Sequence, residues 1–249
     1  MLDIQIEACV DSVESAIQAQ AGGAARVELC AALGEGGTTP SPGTIEVARE
    51  RLTIGLFVLI RARGGDFRYS PDEYETMTRD VTAAKALGAD GVVVGALTEA
   101  GQVDRDGVRR LLEAAHPLPV TFHRAFDASR DLGEALDVLL ELGVRRVLTS
   151  GGERTAEAGI GKLKHLVSRA GDRTTILAGG GIDETNAARI VKETGVREVH
   201  IRATRSQRSP MAYRNPRLVL GKPAVSEDDA RLVTDAARVR AVVKLLAEA

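Results

Sequence analysis

Gly23-Ala24-Ala25-Arg26-Val27 is the first of four copies of one junction; the others are Gly88-Ala89-Asp90-Gly91-Val92, Gly143-Val144-Arg145-Arg146-Val147 and Gly195-Val196-Arg197-Glu198-Val199. At each, a stretch with helical apolar spacing stops and an apolar strand begins. Glycine just past the last apolar helical residue can take the left-handed backbone that ends a helix without a Cβ clash. The small apolar residue and the valine then enter a buried strand. A recurring helix–glycine–strand junction predicts βα units around a parallel sheet. Along the rest of the chain, apolar runs begin near Ile4, Arg26, Leu56, Gly91, Leu118, Arg146, Thr174 and Glu198. The helices between them have recognisable starts. Ser41-Pro42 and Ser70-Pro71 place a capping serine before a first-turn proline, and Ser70 with Glu73 spells a capping box. Asp104, Asp183 and Ser226 are expected to open later helices. Apolar positions 108-111-112-115, 132-135-136-139 and 187-190-191-194 give each helix one stripe to face a sheet. Eight βα units in 249 residues match the roughly 250 residues of an α/β (β/α)8 TIM barrel. An open doubly wound sheet is the competitor, but no G-x-G-x-x-G follows the first strand.

Composition predicts one soluble domain spanning 1–249: 44% of residues are apolar and 27% charged, enough for a sizeable core. With 33 basic and 35 acidic residues the net charge is −2, which offers no polycationic stripe for nucleic acid. No stretch approaches the ~20 apolar residues of a membrane span. The start MLDIQIEA lacks the charged-then-apolar order of a signal peptide, so a cytoplasmic location is expected, with Cys9 and Cys30 reduced. The one long connection, from about Ala203 to Val225 between the eighth strand and the last helix, is of the kind that usually carries function.

In such a barrel the C-terminal strand ends converge on one pocket, and residues two apart on a strand share a face. Strand one offers Glu7 and Cys9, strand two Glu28 and Cys30, and strand three ends in Arg61-Ala62-Arg63-Gly64-Gly65-Asp66. Strand five gives Thr121 and His123, then Arg124 and Asp127; strand eight gives His200 and Arg202. Strands six and seven end in Thr149-Ser150-Gly151-Gly152 and Ala178-Gly179-Gly180-Gly181. One interpretation makes this a structural ion network, with Glu7 and Glu28 neutralised by Arg61 or Arg124. The other makes it a binding or catalytic mouth. There Arg61, Arg63, Arg124, Arg202 and also Arg214 would hold a small phosphorylated or carboxylated molecule, with Gly151, Gly152, Gly180 and Gly181 supplying backbone N–H donors. Glu7 or Glu28 would take a proton and His123 would give one. His116 and His165 fall in helical regions and are read as surface or packing residues. The soft groups available to a metal are Cys9, Cys30, His123, His200 and Met211, without any C-x-x-C or His-rich tract.

These motifs resemble a known family. Glu7-x-Cys9, Arg26-Val-Glu28-Leu-Cys30, Glu35-Gly-Gly-Thr-Thr-Pro-Ser41, Ile60-Arg-x-Arg-Gly-Gly-Asp-Phe67 and Thr121-Phe-His-Arg-Ala-Phe-Asp127 are similar to the CutC copper homeostasis proteins. So are Val147-Leu-Thr-Ser-Gly151, Gly179-Gly-Gly-Ile182, Glu198-Val-His200 and Met211-x-Tyr-Arg-Asn215, in order, from Ile4 to the last helix. The resemblance implies a cytoplasmic TIM barrel associated with copper tolerance, proposed to bind Cu(I) and forming dimers or larger homo-oligomers. It brings no accepted enzymatic reaction. Cys9 and Cys30 are the copper ligands it suggests, and His200 is taken as a further candidate ligand. The chain departs from the family pattern at Val10, where some relatives have a second cysteine, and at Arg202, where serine is usual. The second change adds a positive charge, which repels a metal cation and attracts an anion.

Overall fold

The computed structural model describes residues 4–213, 215, 217 and 230–248. Eight parallel strands close on themselves in chain order: β1 Gln5–Val10, β2 Arg26–Leu29, β3 Gly55–Leu59, β4 Gly91–Val94, β5 Val120–Phe122, β6 Arg146–Thr149, β7 Thr175–Gly179 and β8 Glu198–Ile201. Closure is direct, since Glu7 of β1 pairs with Arg26 on one side and with His200 on the other. The helices α1 Val13–Gly22, α2 Pro42–Arg51, α3 Pro71–Ala86, α4 Arg105–Ala115, α5 Leu132–Glu141, α6 Ile160–Ala170, α7 Ala187–Thr194 and α8 Ala236–Ala247 follow the strands. The TIM barrel read from the sequence is therefore the fold.

The four glycine junctions behave as their chemistry requires. Gly23, Gly88, Gly143 and Gly195 have φ of 94°, 86°, 75° and 76°, where a side chain would be strained. Ser41, Ser70 and Asp104 cap α2, α3 and α4, and the Ser70–Glu73 capping box is complete. Two expectations shift. Asp183 opens a turn whose carbonyl receives the Asn186 and Ala187 N–H groups, so α7 starts three residues later, after Asn186. The final helix begins at Ala236 under an Asp235 cap, because the chain before it is extended. There β9 Thr204–Arg208 and β10 Ala230–Thr234 form an antiparallel ribbon. Ser226 and Arg214 lie outside the described residues.

Period-two alternation divides the side chains into two populations. Val27, Leu56, Val92, Phe122, Val147, Ile176 and Val199 face the helices and form the large apolar core. The lumen holds a far smaller apolar cluster of Cys30, Phe57, Leu59 and Val93, with Cys9 and Leu33 beside it. Barrel lumens are ordinarily filled by branched apolar residues. Here much of the space is occupied by ionisable ones, and that sets up the site.

Candidate functional site

The lumen is built in two levels. At the lower level Arg26 bridges two acids: its Nε donates to Glu7 Oε2 at 2.5 Å, and its Nη2 donates to Glu198. Arg146 reaches Glu198 through Nε at 2.6 Å and Thr121 Oγ1 through Nη1 at 3.3 Å. Both guanidiniums lie over the Phe57 ring, 5.4 and 5.3 Å from its centroid. All are buried or nearly so, and each charge meets an opposite one.

One strand-step higher, Glu7 Oε1 accepts from His200 Nδ1 at 2.8 Å, which leaves His200 Nε2 facing Glu28 Oε2 at 3.6 Å. The ligand atoms of Cys9, Glu28 and Cys30 lie within 4.8 Å of one another, as do those of Glu7, Glu28 and His200. Register explains the meeting, because Cys9 sits directly opposite Glu28 and Cys30 follows two residues on. The electrostatics differ sharply between neighbours. Burial pushes the Glu7 carboxyl up, yet the His200 hydrogen bond and the Arg26 charge bring it down to about 2. Burial holds the Glu28 carboxyl well above the usual range, and a negative Cys9 beside it reinforces this. The Cys30 hydrogen bond, helped by His200, draws the Cys9 thiol down to about 5 against the effect of burial. Cys30 is pushed up by serving as that donor and by burial. His200 is held well above its ordinary value because Cys9, Glu7 and Glu28 outweigh its burial.

A cavity of about 130 Å³ opens on this level, with Cys9, Glu28, Cys30, Arg61, His123 and His200 in its walls. His123, only 5% exposed, accepts the Ala125 N–H on Nδ1 at 3.1 Å, so its own proton sits on Nε2. That Nε2 has no partner among the described residues. Burial and the Arg61 charge lower the imidazole to about 3, so it is neutral. A buried unpaired donor costs about 1–3 kcal/mol. Its ring packs on Phe67 at 5.1 Å, and a Cβ on Gly95 would come within 2.3 Å of it. Arg61, also buried, donates to the carbonyls of Glu35, Gly37 and Gly65 and lies over Phe67 at 4.9 Å. Among the described residues no carboxylate pairs with it.

The remaining anion candidates scatter. Arg124 lines the cavity rim but is engaged by Asp127 and Ser150, each at 2.7 Å. Arg63 lies outside the cavity lining, donating to Glu73 at 2.6 Å and Asp66 at 3.1 Å over the Tyr69 ring. Arg202 is exposed, though its charge helps lower Cys9. The Gly151 N–H goes to Thr149 Oγ1 and the Gly152 N–H to Asp127 Oδ1, both at 2.8 Å. Gly180 and Gly181 have φ of 104° and 71°, and Gly180 abuts the Arg124 guanidinium. Sequence reasoning missed Arg146 and Glu198 altogether. The signal was there, since both share the inward face of their strands with Leu148 and His200.

The CutC family profile matches residues 4–205. A CutC family protein from Bacteroides fragilis is 51% identical over 245 residues, 98% of each chain. The human copper homeostasis protein cutC homolog is 46% identical over 235 residues, covering 94% of this chain and 86% of its own. The crystal structure of CutC from Streptococcus agalactiae superposes with a TM-score of 0.75 at 36% identity, over 79% of this chain and 97% of that one. Thiamine phosphate pyrophosphorylase from Pyrococcus furiosus shares the fold at 18% identity and a TM-score of 0.59, covering 99% and 97%.

Proposed function

Because the chain belongs to the CutC family, we propose that it is a cytoplasmic copper homeostasis protein that binds Cu(I) through Cys9 and Cys30, with His200 as third donor. One observation carries this reading: the thiol sulfurs of two neighbouring strands lie within 4.8 Å of each other at the barrel mouth. Cu(I) is soft and favours thiolate and imidazole, and that is the donor set here. Cys9, drawn down to about 5, is a thiolate at neutral pH. Glu7 fixes the His200 ring from behind through Nδ1, and Cu(I) binding would displace the proton that the metal-free imidazolium holds on Nε2, so that the outer carboxylate orients a ligating histidine. Glu28, whose carboxyl burial holds well above the usual range, is a hard group, so it borders the metal without competing for it. The names of the mouse and human relatives, copper homeostasis protein cutC homolog, support the physiological role. The family resemblance supports a homo-oligomer, and sedimentation of the purified chain would read its size. The described residues contain no helix long and apolar enough to cross a membrane.

The test is Cu(I) titration of the reduced protein against a competing chelator. Wild type is expected to compete, while Cys9→Ser and Cys30→Ser each lose roughly tenfold or more, about 1.4 kcal/mol. Equal affinity in all three proteins would remove the thiols as ligands.

A further inference from the structure

We propose that the cavity carries a second binding wall, formed by the His123 Nε2–H and the Arg61 guanidinium, that takes the oxyanion of a small monocarboxylate. With Nδ1 committed to the Ala125 N–H, Nε2 must carry the ring proton, and it has no acceptor among the described residues. The ring cannot swing to find one, since the Gly95 backbone lies too close to admit even a Cβ and Phe67 packs beside it. A protonated Nε2 offers no lone pair, so His123 in this state is a donor and not a copper ligand. What it lacks is an oxygen.

Arg61 supplies the charge that makes this oxygen anionic. Its guanidinium is buried at 4% exposure and fixed by three backbone carbonyls, which satisfy N–H groups without cancelling the positive charge. The lumen's own acids are arranged elsewhere: Glu7 belongs to Arg26 and His200, and neither Glu7 nor Glu28 bonds to His123 or Arg61. A neutral imidazole donor beside a fixed cation stabilises charge on a carboxylate or enolate oxygen. Size narrows the class. A cavity of about 130 Å³ compares with the ~150 Å³ that accepts benzene, so the ligand has about six heavy atoms. Acetate, glyoxylate and pyruvate fit that limit. The wall shares the mouth with the thiols but rests on different residues, so it stands or falls apart from the copper reading.

The experiment uses metal-free, reduced protein and titrates acetate, glyoxylate and pyruvate, following thermal stability and the ¹⁵N signal of His123 Nε2. At least one acid should stabilise wild type saturably and shift the Nε2–H resonance. His123→Phe, which keeps the ring's shape, should weaken that binding roughly tenfold, while the Cys9→Ser, Cys30→Ser double variant should retain it. Equal binding by His123→Phe, or no response to any of the three acids, overturns the proposal. Should His123→Phe fail to fold, the wild-type resonance decides: one that stays put at saturating acid overturns it.

Discussion

Two levels of one barrel lumen, a single strand-step apart, treat buried charge in opposite ways. Below, Arg26, Glu7, Glu198 and Arg146 satisfy each other. Above, the Glu28 carboxyl is held well above its usual range, the two thiols are driven apart, and His123 and Arg61 have no acid to answer them among the described residues. Glu7 and Glu28 make the contrast sharpest, being the same residue type on adjacent strands with pKa values driven apart. Burial acts on both alike; only the neighbours differ. Where the charges are saturated the region serves shape, and where they are not it is free to take a ligand. Glu7 links the levels, anchoring Arg26 with one oxygen and aiming His200 with the other.

The largest expected effect comes from breaking the saturated level. Arg26→Met leaves Glu7 and Glu198 each short of a cation in a buried setting, which costs about 3–5 kcal/mol. Urea denaturation should show that loss, whereas Cys30→Ser, on the upper level, should leave the midpoint far closer to wild type. If Arg26→Met stayed within about 1 kcal/mol of wild type, the lower level would not be the structural one.

The pH dependence of stability sharpens the same contrast. Glu7 titrates near 4.5 when unfolded and at about 2 when folded. Its contribution is therefore present above the unfolded value and lost as pH falls through the folded one, a swing of roughly 3 kcal/mol. Glu28 has the opposite sign. Its folded value is raised, so stability is complete below the unfolded value and declines as pH climbs from there towards the folded one. In metal-free protein, Glu7→Gln should flatten the limb below pH 4.5 of a urea-midpoint profile and Glu28→Gln the decline above it. Two variants that flatten the same limb would erase the distinction between the levels.

How much of this was legible in the sequence follows from the range of each interaction. The four glycine junctions are local, so they gave the strand starts, and alternation gave the inward faces that carry Glu7, Cys9, Glu28, Cys30, His123 and His200. Partner choice is not local. Arg26 meets Glu198 across 172 positions because barrel closure lays β8 beside β1, while the sequence reading gave the neutralising role to Arg61 or Arg124. His123 stood out as part of a charged cluster, but its tautomer depends on the turn that presents Ala125 N–H. The ribbon before α8 was read as a loop because polar Thr204–Arg208 lacks the apolar signal of a buried strand.

The glycine turns offer the finest test. Read from sequence, Gly151-Gly152 is an anion cradle. Folded, it already holds one: Asp127 accepts the Ser150 and Gly152 N–H groups and is paired with Arg124. This loop repeats the lower level's solution, a chain carboxylate supplied to its own donors, beside a turn at Gly180-Gly181 that receives no carboxylate among the described residues. Asp127→Asn removes the charge and turns an amide toward N–H donors, which should cost about 1.5–3 kcal/mol of folding stability. The more telling measurement is rescue. Sulfate or inorganic phosphate should restore the melting temperature of Asp127→Asn by more than it raises wild type, since the vacated donors and Arg124 then face solvent ions. Equal shifts in both proteins would mean that Asp127 braces the loop only through its shape, and that the cradle read from the sequence has no affinity for a free anion.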